Sequence, residues 1–234
     1  LSDEQLTVSR LVKLIEPDPV FLAHIIGKAS KALYGSVPQS LEQAIGRNLG
    51  VNNVRNLAVL FAAQQYLTVQ SVHPNIERLI DAMLLSNALF ESLFASEYSS
   101  DDKALIAQLT LFGPLALLLI FHTEHLDASL FFEQWQNASS FNEFQSALAA
   151  EHNLCLYGAS SLLLVRWGFT SKVNQTLWRL CQEPDAKVNQ RIRCCHELAF
   201  NSLCFNQAQI HDEQLAAVLS EQQLTEAMEL LAKW

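Results

Sequence analysis

"AQLTLFGPLALLLIF" spans residues Ala107–Phe121, and its reading decides the fold around it. It is nearly all apolar, which suits neither an exposed loop nor a solvated helix face. A bilayer-spanning helix needs about 20 apolar residues, and no run in the chain reaches that. Pro114 has no N–H, and its ring crowds the preceding turn, so a local break in the helical ladder is expected at Gly113-Pro114. The stretch therefore reads as a buried core helix with a kink.

Working outward, helical signals dominate. Gly (7) and Pro (6) are scarce among 234 residues, which favours helices on short connections over many strands. Ser2 and Gln5 have capping-box spacing, with Leu6, Leu11, Leu14 and Ile15 on one face behind them. Pro17 ends that helix, Asp18 N-caps the next, and Pro19 fits its first turn. Ser40/Gln43, Ser140/Glu143 and Ser220/Gln223 repeat the box. Asp101 or Asp102 starts the helix that holds the opening stretch. Further helices are expected over "VNNVRNLAVLFAAQQYL", "IERLIDAMLLSNALFESLFAS", "GASSLLLVRWGF", "SKVNQTLWRLC" and "AKVNQRIRCCHELAFNSLCF". No alternating strand pattern of useful length is present. The expected fold is all-α, with an N-terminal helical subdomain (1–73) and a larger helical bundle (74–234) divided at Val72–Asn75.

The formal net charge is −9, with a pI of about 5.2. Nucleic-acid binding draws most of its affinity from clustered cations, so this balance argues against it. The local exception is a basic run of Arg166, Lys172, Arg179, Lys187, Arg191 and Arg193 against Glu183 and Asp185. It is the candidate interaction patch, and also fits a solvated helix face with internal ion pairs. The five cysteines (Cys155, Cys181, Cys194, Cys195, Cys204) are odd in number and form no C-x-x-C. They suit reduced, mostly buried thiols in a cytoplasmic protein. No secretory pattern opens the chain, which starts at Leu1 without Met and is expected to be a piece of a longer protein.

Motifs for nucleotide binding or nucleophilic catalysis are missing: no G-x-G-x-x-G, P-loop or G-x-S-x-G. His122 and His125 stand three apart with Glu124 between them, yet a metal needs further ligands from elsewhere. His152 near Cys155 is likewise a pair without partners. His211-Asp212 is the dipeptide that ligates metal in HD phosphohydrolases, but no Asp follows it and it reads as a helix start.

A wider pattern resembles the HDOD family (HD-related output domain). The residues that carry it are Asp18-Pro19, Ala29 to Gly35, Ser40-Leu41-Glu42-Gln43-Ala44-Ile45 and Leu49-Gly50, then Gly158, Leu162, Leu163 and Trp167, then His196, Leu198, Ala199 and Asn201. Ser30-Lys31 replaces the family's usual Asn-Ser, and Thr170 its usual Pro. The resemblance implies an HD-like helical fold, usually without the metal centre, in bacterial signalling proteins. By alignment, HD metal ligands would fall at Leu85, Thr110-Leu111, Leu154 and Leu180-Cys181. Leucines, a threonine and a cysteine do not hold a hard divalent metal, so a filled cavity is expected there. The preferred reading is a non-catalytic signalling or adaptor domain with a protein partner, with no cofactor, nucleic acid or membrane. The alternatives are a divergent phosphohydrolase using His122, His125 or His152, and a nucleotide or anion sensor binding between the subdomains.

Overall fold

The structure is a computed structural model that describes residues 6–30, 37–67, 71–124, 127–167, 171–183, 186–205 and 218–234. Ser2, Gln5, Lys31 to Gly35, His125, Thr170, Asp185, His211 and Asp212 lie outside the described residues. The described part is all-α. Its one β feature is an isolated bridge between Ser71 and His122.

The chain divides into two compact units: Leu1–Tyr66 with Ala232–Trp234, and Leu67–Leu231. In the first, α1 (Val8–Ile15) is capped by Thr7, whose hydroxyl accepts the Arg10 N–H. Leu11 and Ile15 are buried, but Leu14 is turned out, against the expected face. Helix α2 (Pro19–Ala29) starts as its sequence dictates, with the Asp18 carboxylate accepting the Phe21 N–H at 2.9 Å. Helix α3 (Leu41–Gln43) runs on as a π-turn segment, Ala44–Leu49. Ser40 caps it, while the Gln43 side chain accepts the N–H of Gln39 instead of closing on Ser40. Gly50 ends the segment with its N–H on the Ile45 carbonyl (2.7 Å) and a φ of +79°, a conformation that favours glycine. Helix α4 (Val51–Leu67) follows.

The second unit is built on α5 (Ile76–Leu93), which is buried over most of its length. Against it pack α6 (Ser100–Phe112) and the long α12 (Lys187–Cys204). Ser99 caps α6, and Asp101 and Asp102 occupy its first turn, where acids complement the helix dipole. After the Gly-Pro break comes the short α7 (Leu117–Ile120). Helix α8 (Ala128–Asn137) carries Trp135, whose ring meets Phe121, Phe144 and Phe205 at 4.5–5.5 Å between centroids. Helix α9 (Phe141–His152) is capped by Ser140. Helices α10 (Leu156–Arg166) and α11 (Ser171–Gln182) form a hairpin. Helix α13 (Glu221–Lys233) opens with a complete box between Ser220 and Gln223.

Two expectations change. Cys155 and Cys181 are joined in a disulfide across the α10–α11 hairpin, with Cα atoms 6.4 Å apart, so not all thiols are free. Residues 26 apart in sequence meet because the two helices run antiparallel. Cys194 and Cys195 are buried, and burial pushes the Cys194 thiol up to about 12, whereas Cys204 is half-buried. Second, the segment Ser100–Ile120 is long and apolar enough by composition to cross a membrane, although 72% of its 18-residue apolar window is buried inside the fold.

The disulfide is directly testable. Titration of the unfolded, unreduced chain is expected to find three thiols, and five would remove the bond. Cys181→Ser should cost about 3 kcal/mol of unfolding free energy, the scale for closing a loop of this size.

Candidate functional site

Four buried polar residues of the second unit, Thr110, Tyr157, Ser160 and His196, converge on the Gly113-Pro114 break. In an unbroken helix the N–H four residues on would bond the Thr110 carbonyl, but that residue is Pro114 and has none. His196 of α12 supplies the missing donor, its Nε2 lying 2.7 Å from the Thr110 carbonyl oxygen. A carbonyl only accepts, so Nε2 carries the proton and Nδ1 is left to accept. The Tyr157 hydroxyl, from α10, lies 3.0 Å from Nδ1 and donates to it. Two residues past Pro114, the Ala116 N–H is bonded by Ser160 Oγ of α10 at 2.9 Å. Thr110, Tyr157, Ser160 and His196 are all buried. Burial lowers the His196 pKa from 6.5 to about 4, so the ring is neutral, and it raises the Tyr157 hydroxyl well above its usual value.

Gly113 makes this contact possible. A Cβ there would lie 2.7 Å from His196 Cε1, 2.8 Å from the Leu109 carbonyl and 3.1 Å from Tyr157 Cε1. Such distances leave no room for a side chain.

The chain's other polar groups nearby are also turned inward. Thr110 Oγ1 donates back to the Ala107 carbonyl (3.0 Å), which also accepts from Asn87 Nδ2 at 2.7 Å. Ser86 Oγ bonds the Ala82 carbonyl at 2.8 Å. Leu85, Leu111 and Leu180 are buried apolar side chains. Leu154, in contrast, is half-exposed and does not fill a cavity, and Cys181 is held in the disulfide. The metal centre of the HD fold needs imidazole and carboxylate donors, and these residues do not fit one.

The profile of the HDOD domain matches residues 1–182. The chain belongs to the HDOD family. Three solved structures share the HDOD chain's fold. One is an HDOD domain protein of unknown function from Geobacter sulfurreducens, 13% identical, with a TM-score of 0.69 over 98% of this chain and 78% of that one. Another is assigned as a signal transduction protein from Marinobacter aquaeolei VT8, 15% identical, at 0.60 over 98% and 56%. The third is assigned as a metal-dependent phosphohydrolase from Shewanella amazonensis SB2B, 15% identical, at 0.57 over 99% and 86%. No curated protein matches the chain.

The HDOD motifs have structural uses. His196 holds the Pro114 break, and Asn201 accepts the Phe141 N–H at the start of α9 while donating to Glu197. Gly158 lets Trp178 close to 3.0 Å of where a Cβ would stand.

The basic run does not form one face. Arg166, Lys172, Arg179 and Lys187 are exposed, and Lys187 lies 3.8 Å from Glu97. Arg191 is buried. It pairs with Glu97 at 2.6 Å, donates to the Tyr98 hydroxyl at 2.9 Å and stacks over Phe94. The Arg191 hydrogen bond holds the Glu97 carboxyl below its usual range. Arg193 turns inward to the Leu180 carbonyl (2.6 Å) and the Tyr157 ring. Both therefore leave the candidate patch, because at those positions α12 faces its neighbours.

The histidines are dispersed. His122 Nδ1 accepts the Glu124 N–H, and His152 lies beside Gln134 and the Phe131 ring. Among the described residues no three His, Cys, Asp or Glu side chains could share a metal. Sequence reasoning gave no weight to His73, which is buried among Phe121, Phe132 and Trp135 and whose pKa burial lowers to about 4.

The network makes two predictions. His196→Leu strands the Thr110 carbonyl and should cost about 2–4 kcal/mol. Pro114→Ala restores a backbone donor to that carbonyl, so in its background the same loss should shrink by about 1 kcal/mol or more. Strict additivity in urea unfolding would remove the proposed bond. The second concerns pH. Below 6.5 the unfolded chain takes a proton that buried His196 refuses down to about 4, so stability falls as pH falls through that window. The full loss is about 3 kcal/mol for this group, and His73 acts in the same direction. Unfolding curves that stay unchanged from about pH 7 to pH 4 would contradict a buried neutral His196.

Proposed function

We propose that this chain is a signalling domain of a bacterial cytoplasmic protein and works by contact with a protein partner, without turnover of its own. The observation that carries the reading is the interior of the second unit. At Leu85, Thr110, Leu111 and Leu180 the side chains are packed apolar groups or bond their own helix. Each buried polar group in the Thr110–His196–Tyr157 set spends its hydrogen bonds on structure. A water-activating centre needs acids or imidazoles facing a cavity, and none of these residues offers that. Membership of the HDOD family and the fold shared with a protein assigned to signal transduction support the same direction. Cytoplasmic placement is part of the proposal, and the Cys155–Cys181 bond is the feature that speaks against it, since such bonds persist mainly in oxidising compartments.

The competing reading is a phosphohydrolase, which takes its motive from the third neighbour's assigned activity. Fold likeness alone does not transfer chemistry. Elemental analysis of the purified chain, with turnover assays on phosphodiesters and nucleotides, separates the two. The expected result is substoichiometric metal and no turnover, together with a protein recovered by cross-linking in the native host. Stoichiometric Mn, Fe, Ni or Zn with turnover would replace our reading. A tight nucleotide complex, with no protein partner, would favour a sensor.

A further inference from the structure

The two faces of the α10–α11 hairpin differ. Its inner face, through Tyr157 and Ser160, holds the break after α6. On α10 the residues Gly158, Leu162 and Val165 follow one another at i, i+4 and i+7, a single stripe. The Trp178 ring of α11 lies over Gly158 and so extends that stripe. Leu162 is 65% exposed, Val165 55%, Trp178 46% and Trp167, at the end of α10, 38%. These are four of the eight large apolar side chains exposed among the described residues, and they share one supersecondary unit. Scattered single exposures are ordinary, whereas a contiguous set marks an interaction surface.

Charge narrows the occupant. Residues 152–182 contain no Asp or Glu, although the chain as a whole carries −9. Arg166, Lys172 and Arg179 stand exposed in this segment, and none has an ion pair among the described residues. Arg166 lies one turn beyond Leu162, on the stripe, and Arg179 directly follows Trp178. The hairpin is also fixed in advance. Cys155–Cys181 closes one end, and Ser161 Oγ donates to the Asn174 carbonyl at 3.0 Å. A rigid surface loses little entropy when it is covered.

We propose that this outer face docks an acidic amphipathic segment of a partner protein, with apolar side chains at helical spacing and Asp or Glu beside them. The inference rests on the protein-contact reading above and adds to it the surface and the partner's chemistry. A second copy fits less well, since a two-fold contact would set the same three cations against each other. An anionic bilayer also fits less well, because the chain as a whole carries a net charge of −9, which an extended anionic surface would repel.

The test selects random peptides of about 16 residues, displayed on phage, on the whole chain, a length that supports helix-in-groove binding. Enriched peptides should combine apolar residues at i, i+3/i+4 and i+7 with acids, and synthetic versions should shift Trp emission. L162S/V165S and R166E/K172E/R179E should each weaken binding by about tenfold or more. Leu130→Ser, an exposed change on α8, should leave it unaltered. Peptides without acids, or affinities indifferent to both hairpin variants, would overturn the proposal. So would phosphatidylserine vesicles that bind through this face, or a dimer lost in L162S/V165S. A host protein that binds both variants as well as wild type sinks this surface and leaves the protein-contact reading intact. Failure to find any protein partner sinks both.

Discussion

A single missing hydrogen organises the second unit. Pro114 offers no N–H to the Thr110 carbonyl, and that carbonyl is buried. Leaving it bare would cost about 1–3 kcal/mol, so a donor must come from another element. His196 gives it, and the gift fixes the ring's tautomer and charge. The remaining nitrogen then calls for a donor, which Tyr157 provides. Both rings reach the break because Gly113 has no side chain there. One proline thus makes demands on α6, α10 and α12, and their packing is set by polar complementarity as well as by apolar burial.

This arrangement accounts for the space around Leu85, Thr110, Leu111 and Leu180, where the family resemblance would put HD donors. A cavity emptied of metal ligands would leave polar groups with no partner, or a void lined by leucine, and either is destabilising. Here Leu85, Leu111 and Leu180 occupy space, while Ser86 and Thr110 bond carbonyls of their own helices and Asn87 bonds Ala107 of α6. Arg191 has an equivalent role at the other end of α6. Its guanidinium lies between Phe94 and Tyr98 and pairs with Glu97, tying α12 to the α5–α6 connection.

Local signals were legible in the sequence and non-local pairings were not. Asp18, Ser40, Ser140 and Ser220 cap helices because a cap depends on three or four neighbouring residues. The break at Pro114 follows from one residue's chemistry. The burial of Leu85, Leu111 and Leu180 was readable through the family alignment. The donor for Thr110 was not, because His196 lies 86 residues away in sequence. The Cys155–Cys181 bond depends likewise on how two helices pair. The basic run failed for a related reason. Sequence shows that Arg191 and Arg193 are near Arg179 in the chain, but not that α12 turns those positions toward Glu97 and Leu180.

Removing those two arginines from the patch sharpens what remains. Within the run, the described cations that are exposed and have no ion pair, Arg166, Lys172 and Arg179, all belong to the hairpin, beside exposed Leu162, Val165 and Trp178. Stability gives no reason for an apolar stripe to face water, since covering it with protein would be favourable. Helix α10 is also the element whose inner side holds the Pro114 break through Ser160 and Tyr157. A ligand on the outer side therefore rests on a helix whose position is already fixed by buried hydrogen bonds. Close-packed interiors move as units and do not yield gradually. The exposed stripe and the hold on the α6–α7 break are thus two sides of one helix, so a partner on the stripe would bear on the element that carries Ser160 and Tyr157.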